Sequence, residues 1–363
     1  MWGSMSYIKE IALKNYRSFV DARCRLSPFT LIVGANNAGK SNLLKAFADL
    51  SMFVSRHGDV DDWSQKRHHA SKSYDVEIHA DWDDAGPLTT RMLTDEEMEE
   101  ARKRREEMRK QWEAALDGQH PFKPAPAAKY RGFTGTLSVY AFDPTVIGNP
   151  EGGDAIPFIR PNGAGVSWIL DKWNSGAKAG RERFAQVVAD LRRCVPEIEA
   201  LSFYDVVAGK RGVQVEQFGL PNPVPLSEVS DGTRLVLAIL TLINLESPPP
   251  VILLEDINRG LHPRLYERIV EFLRTIANEG KTQILATTHD PYLIDEFRDN
   301  PEAVVIVEKK DAASTLSNLD DRLKTFLEPG EELEMPLVQV WFSGLVGGVP
   351  QMKLPEILKP AKP

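Results

Sequence analysis

Phe29-Thr30-Leu31-Ile32-Val33-Gly34-Ala35-Asn36-Asn37-Ala38-Gly39-Lys40-Ser41 is the stretch that decides the reading of this chain. Its first five residues, rich in aromatic and β-branched side chains, read as a buried strand. Gly34 to Ser41 then carry the spacing Gly-x-x-x-x-Gly-Lys-Ser of a phosphate-binding loop. Glycines let such a loop turn several backbone N–H groups into one concavity. The helix expected from Asn42-Leu43-Leu44-Lys45-Ala46-Phe47 adds the positive end of its dipole. A nucleoside triphosphate suits that concavity. Lys40 is spaced to reach the β- and γ-phosphates, and the Ser41 hydroxyl to complete the shell of a Mg2+ ion. The candidate nucleotide-binding residues are therefore Gly34, Asn36, Asn37, Ala38, Gly39, Lys40, Ser41 and Asn42, with Ser41 also a candidate metal ligand.

A chain of 363 residues can bury a large core, as one big domain or two modest ones. Its net charge of −8 and pI near 5.5 exclude a global basic field, so any DNA contact must be a local patch. Two cysteines far apart, Cys24 and Cys194, argue against a disulfide framework and against a cysteine-based zinc site. No basic leader followed by an apolar run is present, nor a long unbroken apolar stretch. A cytoplasmic protein with no membrane contact is expected. Residues 1–5, Met1-Trp2-Gly3-Ser4-Met5, read as an expression remnant ahead of a native Met5.

The remainder alternates strands and helices. Tyr7–Leu13 and Tyr74–Trp82 alternate polar with apolar residues, as half-exposed strands do. Thr94 to Leu116 opens with a Thr94-x-x-Glu97 capping box and is dense in opposite charges, which predicts a solvated helix inside an insertion spanning about 84–128. A partner-binding arm or a DNA-contacting lever is the alternative use of that helix. Strands are expected around Thr134–Tyr140, Leu201–Tyr204 and Val213–Gln217, and helices over 166–195, Ser227–Leu245 and Arg264–Glu279. The helices between about 160 and 245 form an expected helical subdomain. Val251–Leu254, Gln283–Thr287 and Ala303–Glu308 read as buried strands, the last of them closing the sheet. Buried strands alternating with helices imply an α/β fold whose mixed or parallel central sheet is flanked by helices.

Val251–Leu254 runs directly into Glu255-Asp256. Two adjacent acids at the end of a buried strand are costly unless a cation lies near. After an upstream phosphate loop they read as a Walker B pair, with Glu255 in the Mg2+ shell and Asp256 orienting or deprotonating the attacking water.

Four further segments carry a resemblance to a known family. Ser230-Asp231-Gly232-Thr233 resembles the signature loop of ABC-type ATPases in its RecF-like and OLD-like variant, and Gly260-Leu261-His262-Pro263 the D-loop of that branch. Thr287-Thr288-His289-Asp290-Pro291 is similar to its switch-histidine segment. Asn15-Tyr16-Arg17-Ser18-Phe19 resembles the element that opens SMC, RecF and OLD ATPases. The resemblance implies an ABC-type ATPase head over residues 6–310, followed by a C-terminal extension over 311–363. It implies ATP and Mg2+ as cofactors, hydrolysis of ATP to ADP and phosphate, and Arg17 among the nucleotide ligands. Glu255 would be the Walker B carboxylate, Asp256 the general base, and His289 a contact of the γ-phosphate. Ser230 and Gly232 would act on the nucleotide of a second copy, so a homodimer is expected.

The chain also departs from the family pattern. Glu255-Asp256 stands where Asp-Glu or Glu-Glu is usual, and a base shorter by one methylene sits roughly 1.5 Å further from its water. Slow hydrolysis is the expectation. The Q-loop glutamine has no clear counterpart; Tyr140-Ala141-Phe142-Asp143-Pro144 occupies its place in the order. The insertion is too short for an SMC coiled coil. Residues 311–363 lack the acidic cluster and length of a Toprim nuclease, and Gly347-Gly348 has no lysine after it, so it reads as a tight turn or docking segment. The leading expectation is an ATP-driven head that switches a separately encoded effector, such as a nuclease, in DNA repair or anti-phage defence. The alternative is a clamp on double-stranded DNA gated by ATP.

Overall fold

The computed structural model describes residues 7–55, 77–82, 86–91, 137–152, 158–206, 209–325, 327, 333 and 335–348, together with Lys103 and Glu107. In chain order the strands are β1 (Ile8–Tyr16), β2 (Phe19–Arg25), β3 (Phe29–Val33), β4 (Glu77–Trp82), β5 (Gly86–Arg91), β6 (Val139–Tyr140), β7 (Ile198–Val206), β8 (Lys210–Gln217), β9 (Val224–Pro225), β10 (Val251–Leu254), β11 (Gln283–Thr288), β12 (Val304–Lys310) and β13 (Ala313–Asn318). The helices are α1 (Lys40–Ser55), α2 (Pro144–Ile147), α3 (Val166–Ser175), α4 (Lys178–Cys194), α5 (Asp231–Ile243), α6 (Tyr266–Asn278), α7 (Leu319–Leu323) and α8 (Leu337–Phe342).

The central sheet has ten strands in the order β5-β4-β1-β2-β13-β12-β3-β11-β10-β6. Strands with unbroken apolar runs lie together and parallel: β3, β10 and β11 are buried at every residue, because helices cover both faces. Alternate side chains of these strands enter different cores. Leu31, Ile252, Ile284 and Ile306 join α5 and α6 on one face; Ile32, Leu253, Leu285 and Val305 join Leu43, Leu44 and Phe47 of α1 on the other. The strands β1, β2, β4 and β5 form an antiparallel half. This is the mixed α/β sheet flanked by helices that the sequence predicts. Between residues 160 and 245 the chain carries α3, α4 and α5, and also a separate antiparallel sheet, β7-β8-β9.

Two expectations need amendment. β12 is not the last strand: β13 follows a tight turn at Asp311 (φ 55°), pairs antiparallel with β12 and touches β2 in parallel, so the sheet continues past residue 310. Ala313-Ser314-Thr315-Leu316-Ser317-Asn318 has no apolar run; ladder pairing rather than burial makes it a strand. β5 was also not legible, since Gly86-Pro87 reads as a turn; it is the edge strand, where a proline leaves no ladder bond unmade. The start of the expected helical insertion is therefore strand. The predicted helix over 94–116 lies outside the described residues, apart from Lys103 and Glu107, which are helical.

One buried side chain ties the antiparallel half to the parallel half. Gln283, at the start of β11, accepts a hydrogen bond from the Ile8 N–H at 3.0 Å and donates to the carbonyls of Ile8 (2.9 Å) and Ser27 (3.2 Å). β1 and β11 are separated by four strands in the sheet, so the curl of the sheet brings them together and the amide serves as a substitute ladder partner. Gln283→Leu would keep the volume but strand buried backbone groups. We expect it to lower the free energy of unfolding by about 2–4 kcal/mol, measured by urea denaturation.

Candidate nucleotide-binding site

The phosphate loop leaves β3 and enters α1 with an unusual backbone. Gly39 (φ 121°) and Asn37 (φ 62°) are in the left-handed region. A Cβ on Gly39 would lie 2.6 Å from Ser314 Oγ and 2.9 Å from Ser18 Oγ, and one on Gly34 would lie 2.2 Å from the Val307 carbonyl oxygen. The loop is clasped from outside. Ser314 Oγ donates to the Ala38 carbonyl at 2.5 Å, Ser314 N–H donates to the Ser18 carbonyl at 2.6 Å, and Asn42 Nδ2 donates to Ser18 Oγ at 3.0 Å. Ser18 and Ser314 were not recognised as site residues from the sequence; the Arg-Ser step at 17–18 was the available signal for Ser18, and Ser314 had none.

Inside the loop, Lys40 Nζ donates to the carbonyls of Gly34 (2.7 Å) and Ala35 (3.1 Å). Burial lowers the pKa of this ammonium, against the pull of Asp256 and Glu255. A positive group held among carbonyls and short of solvent is prepared for an anion. Ser41 Oγ donates to Glu255 Oε1, so a hydroxyl and a carboxylate oxygen stand together. These are the hard oxygen donors that Mg2+ takes. Among the described residues no group of three or more His, Cys, Asp or Glu could hold a metal, so an ion here would draw the rest of its shell from phosphate and water.

Glu255 continues β10 by donating its N–H to the Tyr140 carbonyl at 2.8 Å. Asp256 then turns into the left-handed region (φ 51°), a costly conformation for a non-glycine residue. Two contacts hold it: its N–H donates to Thr287 Oγ1 at 3.0 Å, and its Oδ1 lies 3.1 Å from His289 Nδ1. A cavity of about 180 Å3 brings Asn36, Asn37, Gly39, Lys40, Ser41 and Asn42 together with Glu255, Asp256 and Thr287. Thr287, legible in the sequence as a strand end and part of the switch segment, lines the site.

The other candidates lie elsewhere. Gly34 and Ala38 shape the loop without lining this cavity. Arg17 turns away: its Nε donates to Tyr16 OH at 2.9 Å, Tyr16 OH donates to Asp49 Oδ2 at 2.6 Å, and the guanidinium lies 3.7 Å from Asp49. Asp143, in the segment standing for the Q-loop, caps α2 through the Thr145 N–H at 2.9 Å, and the Thr145 hydroxyl and N–H hold its carboxyl below the usual range. Ser230 caps α5 by accepting from the Thr233 N–H at 3.2 Å. Gly232 is packed so closely on the D-loop that a Cβ would meet the Gly260 carbonyl oxygen at 2.8 Å. Neither Ser230 nor Gly232 lines the cavity of their own chain. A run of hydrogen bonds links residues flanking the D-loop to the switch segment: Tyr266 OH donates to Asp290, the Asp290 N–H donates to Thr288 Oγ1 at 3.0 Å, and Thr288 Oγ1 donates to Asn258 Oδ1 at 2.7 Å.

Comparison with known proteins agrees with the fold. The head domain of Smc bound to the C-terminal winged-helix domain of ScpA has 15% sequence identity and a TM-score of 0.51, over 88% of this chain and 99% of that one. The Smc head domain from Pyrococcus furiosus with an extended coiled coil, bound to the C-terminal domain of ScpA, has 13% identity and a TM-score of 0.53, over 88% of this chain and 98% of the other. At these identities the likeness is one of fold. No curated protein sequence matches the chain. Residues 29–295 match the family model described as "AAA domain, putative AbiEii toxin, Type IV TA system". With the phosphate loop, the acidic strand end and the switch histidine all inside that span, the chain belongs to this family of AAA-domain ATPases.

Proposed function

We propose that this protein is an ATP-driven switch in which two copies close over two molecules of Mg·ATP and the closed form engages a separately encoded effector. The observation that carries the reading is a division of the site. Lys40, Ser41, Glu255 and Asp256 meet in one cavity, while Ser230 and Gly232 of the signature loop stand clear of it at the start of α5. A second copy facing the first would bring its Ser230 to the nucleotide and complete the site.

The geometry supports a role for each of these residues. Phosphate oxygens would replace the Gly34 and Ala35 carbonyls as partners of Lys40. Ser41 and Glu255 would hold Mg2+, which supplies charge neutralisation on the β- and γ-phosphates. Asp256 would orient the attacking water and take up its proton as the bond from the γ-phosphorus to the bridging oxygen breaks. The left-handed backbone of Asp256 and its contact with His289 hold the shorter carboxylate in a set direction, which supports its use where the related ATPases carry glutamate. The matched family, described as a putative toxin of a toxin–antitoxin system, supports a role in bacterial defence, with DNA repair as the other setting. The Smc heads with a ScpA domain bound to them support an effector docked on the head. No described helix is long and apolar enough to cross a membrane.

Lys40→Ala is expected to reduce steady-state ATP hydrolysis by at least about 100-fold, and Ser230→Ala to reduce it as well by removing the hydroxyl that the signature loop supplies in trans. Mixing the two should restore turnover, because a mixed pair contains one site built from an intact loop and an intact signature. Two inactive variants that stay inactive when mixed would overturn the shared-site reading. Asp256→Asn should bind ATP yet release no phosphate, and should accumulate as a dimer with Mg·ATP in sedimentation velocity. A monomer under those conditions, with ATP bound, would argue against closure on the nucleotide.

A further inference from the structure

The outer side of the phosphate loop faces a second and larger cavity, of about 540 Å3, and Asn36 and Asn37 line both cavities. Its far wall is the end of β12, where Glu308, Lys309 and Lys310 meet Arg322 and Gly348. Glu308 is already engaged: Oε2 accepts from Arg322 at 2.5 Å and Oε1 from the Gly348 N–H at 3.0 Å. Lys309 and Lys310, at the tip of the β12–β13 hairpin, are exposed and form no ion pair among the described residues. The loop thus divides the edge of the sheet by charge. On one side stand the acids Glu255 and Asp256; on the other stand two lysines that are unpaired among the described residues.

The signature loop has the opposite character. Glu228 is exposed two residues before Ser230, and it too has no ion pair among the described residues, whereas Asp231 is paired with Arg234. Two residues of extended chain span at most about 7 Å. A second copy that presents Ser230 to the nucleotide beside Asn36 and Asn37 therefore carries Glu228 to the rim of the loop. Approach on the Glu255–Asp256 side would set like charges together; approach on the lysine side sets opposite charges together.

We infer that Lys309 and Lys310 at the tip of the β12–β13 hairpin receive Glu228 from the signature loop of a second copy of this chain, setting the register in which the two heads close. The inference rests on the two-copy closure proposed above. Because the pairs are solvent-facing, they act on orientation and encounter rate more than on total affinity.

The test is a charge exchange. Sedimentation velocity with Mg·ATP would be run on the wild type, on K309E/K310E, on E228K, and on an equimolar mixture of the two variants, all in the Asp256→Asn background that suppresses turnover. Each variant alone sets like charges together at both contacts of its homodimer, and dimerisation should weaken on the order of 10-fold, less so at high salt. The mixed pair has opposite charges at both contacts and should associate as the wild type does. Affinity for ADP, which needs one chain only, should stay within about twofold and show that the variants fold. Wild-type dimers with variants that dimerise equally well, or with a mixture that fails to recover, would overturn the lysine–Glu228 contact and leave the two-copy closure standing. Absence of a dimer in the wild-type signature loop and hairpin background would remove both.

Discussion

Parallel pairing of β10, β11, β3 and β12 is the constraint on which the rest of this protein depends. Leu254 pairs with Ala286, Ala286 with Leu31, and Leu31 with Val304, so the four strands run in step. Parallel strands in step end together. Glu255, His289 and Gly34 follow the ends of β10, β11 and β3, Glu308 lies in β12 just past its last pairing with β3, and all four come to one edge of the sheet, although they are scattered over more than 270 positions in the chain. The pairing survives because both faces are covered: α1 lies on one, α5 and α6 on the other, and neither face meets water.

The phosphate loop does not shape itself. Its glycines permit the turn, but the bonds that fix it come from the β1–β2 turn through Ser18 and from β13 through Ser314. These contacts explain why the antiparallel half of the sheet belongs to the nucleotide site without contributing a residue to its cavity. Gln283 completes the connection at the opposite end, where its amide replaces a ladder between strands that are not neighbours. A nucleotide that reshapes the loop would therefore be felt at β2 and β13, and through β13 at the hairpin tip beside the second cavity.

Charge is distributed about the loop in the same deliberate way. Acids gather where a divalent cation can balance them, and the uncommitted lysines stand on the far side, separated by Asn36 and Asn37. Asp256 concentrates two costs, a left-handed backbone and a carboxylate at a strand end, and both are met by the switch segment through Thr287 and His289. Strain and charge held together at one residue are common where chemistry is done.

By itself the sequence determined the α/β class, the phosphate loop, the acidic strand end and the buried strands, because each is written in residues close together: an apolar run, a glycine spacing, a pair of acids. It did not reveal β13, whose polar residues are held by neighbours on both sides, or β5, whose proline is harmless at an edge. Arg17 shows the same limit from the other direction. Its motif was legible, yet the partner it takes, Asp49 on the next helix, was not. Tertiary structure alone decided that Ser314 clasps the loop, that Thr287 holds Asp256, and that Ser230 stands apart from the nucleotide site of its own chain. Each of those facts joins residues that local pattern cannot relate, because packing of the sheet, not spacing along the chain, sets the distance between them.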